Sequence, residues 1–193
     1  MQQIEEKEFN KKQSSPTKNL WLYILIILLI SAVGFFIFKM NQPKKVDSPE
    51  KIYAQHFEPF RNFIVPIERT NDEFTELQKA FQAYENKEYQ KAIDNFTTIL
   101  LQDQNQQKDI LFYKGIAELS IDKTDDAIPT FKEYLNTSGQ FKNEANWYLG
   151  LGYLKVNELN LAKETFEQFV NNTPDRQKKK EALEILSSLP SNE

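Results

Sequence analysis

The chain has 193 residues, a formal net charge of −4, no cysteine and one histidine. That inventory excludes a thiolate or nitrogen–sulfur cluster for zinc, iron or copper, and without cysteine the redox compartment is left open. From Lys51 onward, 17 basic residues against 23 acidic ones leave a net charge of −6, which repels phosphate backbones and argues against nucleic acid as a ligand.

Residues 1–19 form a short polar tail, and residues 20–38, LWLYILIILLISAVGFFIF, carry no charge before Lys39. A helix of that length is about 28 Å long, close to the ~30 Å hydrocarbon core of a bilayer. Small residues at Ser31, Ala32 and Gly34 fit the rival reading of a cleaved secretory signal. Against it, Phe35 to Phe38 prolong the apolar run beyond a 7–15-residue signal core, so residues 20–38 are expected to be a transmembrane helix in contact with the lipid bilayer. Trp21 and Tyr23 suit the membrane interface. Lys7, Lys11, Lys12 and Lys18 precede the span, and Lys39, Lys44, Lys45 and Lys51 follow it, so the positive-inside count is nearly equal. A short basic tail is retained more readily than a long domain. The expected orientation is therefore an N-terminus in the cytoplasm and a C-terminal domain on the outer, periplasmic side.

Residues 39–72 combine a linker, KMNQPKKVDSPE, with the aromatic-rich juxtamembrane stretch IYAQHFEPFRNFIVPIERT at 52–70. His56 stands among Tyr53, Phe57 and Phe60 and is expected to be a partly buried ring, with no metal role.

From residue 73 the chain repeats itself. A shift of 35 residues aligns Ala80, Gly115 and Gly150; Ala92, Ala127 and Ala162; and Phe96, Phe131 and Phe166. It also aligns Leu77, Phe112 and Trp147; Tyr84, Leu119 and Leu154; and Ile99, Tyr134 and Phe169. In the third unit, Trp147, Leu151 and Leu154 recur at helical spacing, and Ala162, Phe166 and Phe169 resume it after a turn at Asn157–Asn160. Each unit is thus expected to be two helices, approaching closely where a small residue faces a large Phe. Pro129 follows the acidic pair Asp125–Asp126 by three residues, where a missing donor costs little if it stays within the first turn; a helix that begins earlier is expected to kink there. Ala182, Leu183, Ile185, Leu186 and Leu189 predict a last helix stopped by Pro190, backed by Arg176, Lys178, Lys179 and Lys180 as a solvated face.

The stretch YLGLGYLKVNELNLAKETFEQFVNNTPD resembles a tetratricopeptide repeat through Leu149, Gly150, Tyr153, Ala162, Phe166 and Pro174. The second unit keeps Gly115, Ala127 and Phe131 but has Glu118 where the third has Tyr153, and the first has Ala80 in place of the glycine. The resemblance covers roughly residues 73–174. It implies an all-α architecture: a transmembrane helix followed by an α-solenoid domain at 73–190, made of three helical hairpins and a capping helix. It further implies a concave groove lined by Leu77, Phe81, Tyr84, Phe112, Ile116, Leu119, Trp147, Leu151, Leu154 and Lys155, with a protein or peptide partner as its ligand. Family members that hold acidic chaperone tails use basic and amide side chains there, whereas Phe112, Ile116 and Leu151 would desolvate a carboxylate. The plainer reading of the same stripe is core between neighbouring repeats. The aromatic stretch at 52–70 is expected to pack on the first repeat or to enter the groove, as an N-terminal cap or a resident pseudo-ligand.

No Gly-rich phosphate loop, GxSxG elbow or nucleophile–base set is present, and Asp125–Asp126 are explained by helix capping and the macrodipole. The expectation is a non-enzymatic protein without cofactor, metal or small-molecule substrate. The triplets starting at Asn95, Asn136 and Asn171 match glycosylation acceptors, a pattern common by chance. The sequence thus points to a membrane-anchored adaptor or scaffold of the cell envelope, and analogy with the family adds assembly or quality control of envelope proteins. Two alternatives stand beside it: a self-associating protein that organises a homo-oligomer, and an enzyme with a carboxylate site.

Overall fold

The structure, a computed structural model, describes residues 17–40, 47–65, 74–102 and 108–190. Most of the polar tail, half of the linker and the end of the 52–70 stretch lie outside these residues. The chain divides into two compact units, one ending at Lys45 and the other beginning at Val46. Among the described residues all regular structure is helical.

In the first unit, α1 runs over Thr17–Met40. Its stretch Trp21–Lys39 is long and apolar enough to cross a membrane, with a mean hydropathy of 2.7 over its best window. Side chains from Trp21 to Phe38 are exposed on all sides, as on a helix with no apolar stripe to turn toward a protein core. The hydroxyl of Ser31 donates to the Leu28 carbonyl at 2.9 Å, which satisfies the polar atom within the helix itself.

The second unit opens with α2 (Pro49–His56), where Ser48 caps the first turn and Pro49 fills the first helical position, whose amide has no intrahelical partner. Residues 57–65 then run without helix, and the unit continues as α3 (Glu76–Glu85), α4 (Tyr89–Gln102), α5 (Lys108–Ser120), α6 (Thr124–Leu135), α7 (Lys142–Lys155), α8 (Leu159–Asn172) and α9 (Arg176–Ser188). A reciprocal capping box of Thr75 and Gln78 starts α3. Asp175 accepts from the amides of Gln177 and Lys178 to start α9.

From α3 to α9 each helix packs on the helices before and after it in the chain. The turns within the three pairs α3–α4, α5–α6 and α7–α8 share one geometry. Lys87, Asp122 and Asn157, spaced by 35 residues, all have left-handed backbones with φ of 62°, 63° and 59°. In each turn the next residue's amide reaches back five positions: Glu88 to Ala83, Lys123 to Glu118 and Glu158 to Tyr153, all at 2.9 Å. This is the closure that satisfies the last carbonyls of a helix. The small-residue column behaves as its spacing predicts: a Cβ built on Gly115 would fall 2.8 Å from the Phe131 ring, and one on Gly150 would fall 2.9 Å from the Phe166 ring.

Two local expectations shift. Because α6 starts at Thr124, Pro129 is its sixth residue, beyond the first turn. Pro129 and Asp125, whose carbonyl loses an amide partner, are both exposed, so water serves in its place and the helix continues to Leu135. In α9, Ala182 and Ile185 are buried, as is Leu189 just past its end, whereas Leu183 is 49% exposed.

Helices α5 and α7 are buried almost all round, α5 from Ile110 to Leu119 and α7 from Ala145 to Leu154 with few breaks. Each is flanked by helices before and after it, α5 and α7 also touch each other, and α2 packs on α7. An extended stretch covers what remains.

Candidate functional site

Residues 57–65 lie across α3, α5 and α7, the first helices of the three pairs, and three tyrosines hold their main chain. The Tyr148 hydroxyl donates to the Glu58 carbonyl at 2.6 Å. Tyr84 donates to the Phe60 carbonyl at 2.7 Å. Tyr113 donates to the Arg61 carbonyl at 3.0 Å and accepts from the Phe63 amide at 3.0 Å. Buried tyrosines need a partner for their hydroxyls, and these are satisfied by a segment remote in sequence.

One side chain is seated deeply. The Phe60 ring lies 5.1 Å from Phe112 and 5.4 Å from Phe141, with Tyr148 at 6.4 Å, mostly edge to face. Upstream, α2 adds the Tyr53 hydroxyl, which donates to the Leu119 carbonyl at 3.2 Å, and His56, edge-on to Trp147 at 6.1 Å. The described part of this stretch, residues 52–65, therefore contacts all three pairs, and its helix packs on the third rather than the first.

The ten residues expected to line a groove are placed as follows. Phe81, Tyr84, Phe112, Ile116, Leu119, Trp147, Leu151 and Leu154 are buried, and Leu77 and Lys155 are half-buried. Tyr84, Phe112, Leu119, Trp147 and Lys155 meet α2 or the extended stretch; Lys155 sits 4.4 Å from the Tyr53 ring while pairing with Asp122. Phe81 instead packs on Phe96 and Tyr113, at 5.1 and 4.9 Å. Ile116, Leu151 and Leu154 belong to the core between helices.

Tyr113, Tyr148 and Phe141 were not among the expected residues. For the two tyrosines the signal is the doubled aromatics Phe112–Tyr113 and Trp147–Tyr148: neighbours on a helix point about 100° apart, so the second ring of each pair serves a different face, whereas Phe141, just before α7, carries no such signal.

Burial raises the pKa of every tyrosine in this network. Tyr113 is pushed up to about 12, chiefly by desolvation, with the nearby Asp109 and Glu144 raising it further and the Phe63 amide opposing. Tyr84 and Tyr148 are displaced upward for the same leading reason, as is Tyr53, where Asp122 adds to it.

Beside the extended stretch a cleft of about 390 Å³ opens, lined among others by Phe60, Phe63, Glu144, Trp147, Tyr148 and Lys178. Lys178 lies 4.6 Å from the Trp147 ring and pairs with Glu181 at 2.8 Å. Among the described residues no group of three or more metal-ligating side chains gathers.

Fold and face together define a chain of repeated helical pairs, with one further apolar helix, whose shared face is covered by its own polypeptide. No protein-family model matches the chain, and no curated protein matches it.

Proposed function

We propose that this chain is a single-pass, membrane-anchored tetratricopeptide-repeat adaptor that binds protein or peptide partners at the cell envelope. Its N-terminus is cytoplasmic and its helical unit stands on the outer side of the membrane. The observation that carries this reading is the non-helical polypeptide lying across α3, α5 and α7 and gripped by its main chain at Glu58, Phe60 and Arg61. A surface that accommodates one extended segment through backbone atoms is built to take polypeptide.

Further support comes from the tetratricopeptide pattern around Leu149, Gly150, Tyr153, Ala162, Phe166 and Pro174, the turns recurring every 35 residues, and the apolar α1. The orientation rests on the four lysines of the short tail. Assembly or quality control of envelope proteins is the role that family analogy adds.

The test places a photo-crosslinking residue in the full chain, in its own membrane, at Phe63 or Lys178 beside the cleft, or at Glu167 on the exposed side of α8. The reading expects proteins other than this chain at the first two positions and not at the third. Equal capture at all three, or capture of further copies of this chain alone, removes it; the latter moves the account to self-association.

A further inference from the structure

We propose that residues 57–65 are a displaceable strap: a resident ligand whose place is taken, in trans, by another extended segment carrying a Phe-like ring at the position of Phe60. This rests on the adaptor reading and adds its regulation.

The hydrogen bonds from Tyr84, Tyr113 and Tyr148 all reach main-chain atoms of Glu58, Phe60, Arg61 and Phe63. Carbonyls and amides are common to every peptide, so these bonds grip the main chain whatever its side chains, while the Asn62 side chain accepts from the Ile64 and Val65 amides and turns the strap at its end. Sequence enters at two points: the aromatic socket that Phe112, Phe141 and Tyr148 form around Phe60, and the Asn62 side chain, which donates to the Glu85 carboxylate. Glu58, Pro59, Arg61 and Phe63 are exposed, and Phe63 keeps 64% of its surface open.

The strap lies on the core rather than within it. None of residues 57–65 is fully buried, whereas Phe81 and Ile116 in the helices are fully buried. Elements with little buried surface open at a lower free energy than the elements they cover. Release of the strap would turn three hydroxyls and one ring socket toward water while the helical pairs stay packed. Because the strap is joined to the face it covers, it competes at high effective concentration, and an incoming segment binds with an apparent affinity reduced by the fraction of molecules that are open.

The probe is a fluorescent peptide with the sequence of residues 52–65, titrated into the full chain held in phospholipid nanodiscs. Phe60→Ala in the protein empties the socket and should tighten peptide binding at least tenfold over the unaltered chain. The same Phe→Ala change in the peptide should weaken its binding to both proteins at least tenfold. Equal affinity of the peptide for both proteins, or binding to neither, overturns the proposal.

A second arrangement does not depend on that variant folding. The Asn62 side chain donates to the Glu85 carboxylate at 2.8 Å, and the chain has no cysteine. Asn62→Cys with Glu85→Cys, joined by a short bis-maleimide, therefore fixes the strap. Peptide binding must vanish on joining, and its persistence overturns displacement. Photo-crosslinks to other proteins at Lys178 that survive the lock would end the displacement and leave the adaptor reading standing; crosslinks that disappear support both.

Discussion

Gly150 and Gly152 lie two residues apart on α7, and alanine at each should move stability in opposite directions. Alanine in a helix interior gains about 1 kcal/mol over glycine at either site, through backbone entropy. The surroundings differ. A Cβ at Gly150 would sit 2.9, 3.0 and 3.1 Å from three ring atoms of Phe166. That ring is fully buried, with Trp147 5.6 Å away, and has little room to retreat. Overpacking of this kind costs about 1–3 kcal/mol, so Gly150→Ala should be destabilising by about 1 kcal/mol net. At Gly152 the new Cβ would first meet Ile128 Cγ1 at 3.4 Å, an ordinary contact, and the propensity gain of about 0.5–1 kcal/mol should survive. For a chain of this size 1 kcal/mol corresponds to roughly 2–4 °C in Tm. Melts followed by far-ultraviolet circular dichroism should place the two variants on either side of the unaltered chain. Two variants equally stabilised would refute the close approach of α7 and α8 that aligns Gly150 with Phe166, and with it the packing reason given for the repeat.

Other outcomes follow from the same geometry. Below pH 10 the buried tyrosines are neutral in folded and unfolded chains alike, so their contribution is constant; above pH 10 the unfolded chain ionises first, and stability should fall as pH rises toward the folded value of about 12 at Tyr113. Tyrosinate absorbance should therefore rise together with loss of helix, and free titration of these rings near pH 10 in a folded chain would contradict their burial. Lys114 pairs with Glu118, whose side chain is 3% exposed. Lys114→Leu alone leaves that carboxylate buried and unpaired and should cost about 3 kcal/mol in chemical denaturation. Adding Glu118→Tyr imports the apolar pair that the third repeat carries at Leu149 and Tyr153, and should restore stability to within about 1 kcal/mol. Lys87 holds a left-handed backbone, so Lys87→Gly should raise Tm by relieving about 0.5–1 kcal/mol net of strain, while Asn157→Gly should change it less.

The repeat was legible because its cause is local and recurrent: a small residue at 115 and 150 faces a large ring at 131 and 166, and Ala80 and Phe96 keep the same spacing. The shared turn was half legible. Asp122 and Asn157 belong to residue types that tolerate positive φ, whereas Lys87 carries no such mark. Periodicity along α3, α5 and α7 identifies which side is apolar but not whether a helix or an extended segment will cover it, and so Ile116 and Leu151 could not be told from Tyr84 and Phe112. The path of the strap escaped for a different reason. Its hydrogen bonds join residues 24, 52 and 90 positions apart, and nothing within Glu58–Phe63 announces an extended course beyond the proline. Pro129 shows the limit at an element's end: the acidic pair marked the start of α6 closely, but a start at Thr124, two residues before Asp126, makes the proline the sixth residue and places it outside the first turn.

Residues 57–65 lie on the face of α3, α5 and α7. Nuclear Overhauser spectroscopy of the full chain, with labelled phenylalanine rings assigned by substitution, tests this directly. Ring centroids 5.1 and 5.4 Å apart predict cross-peaks from Phe60 to Phe112 and to Phe141. A Phe60 resonance that shows neither cross-peak and has the shift of a solvated ring, while Phe112 and Phe141 still see each other, would contradict it.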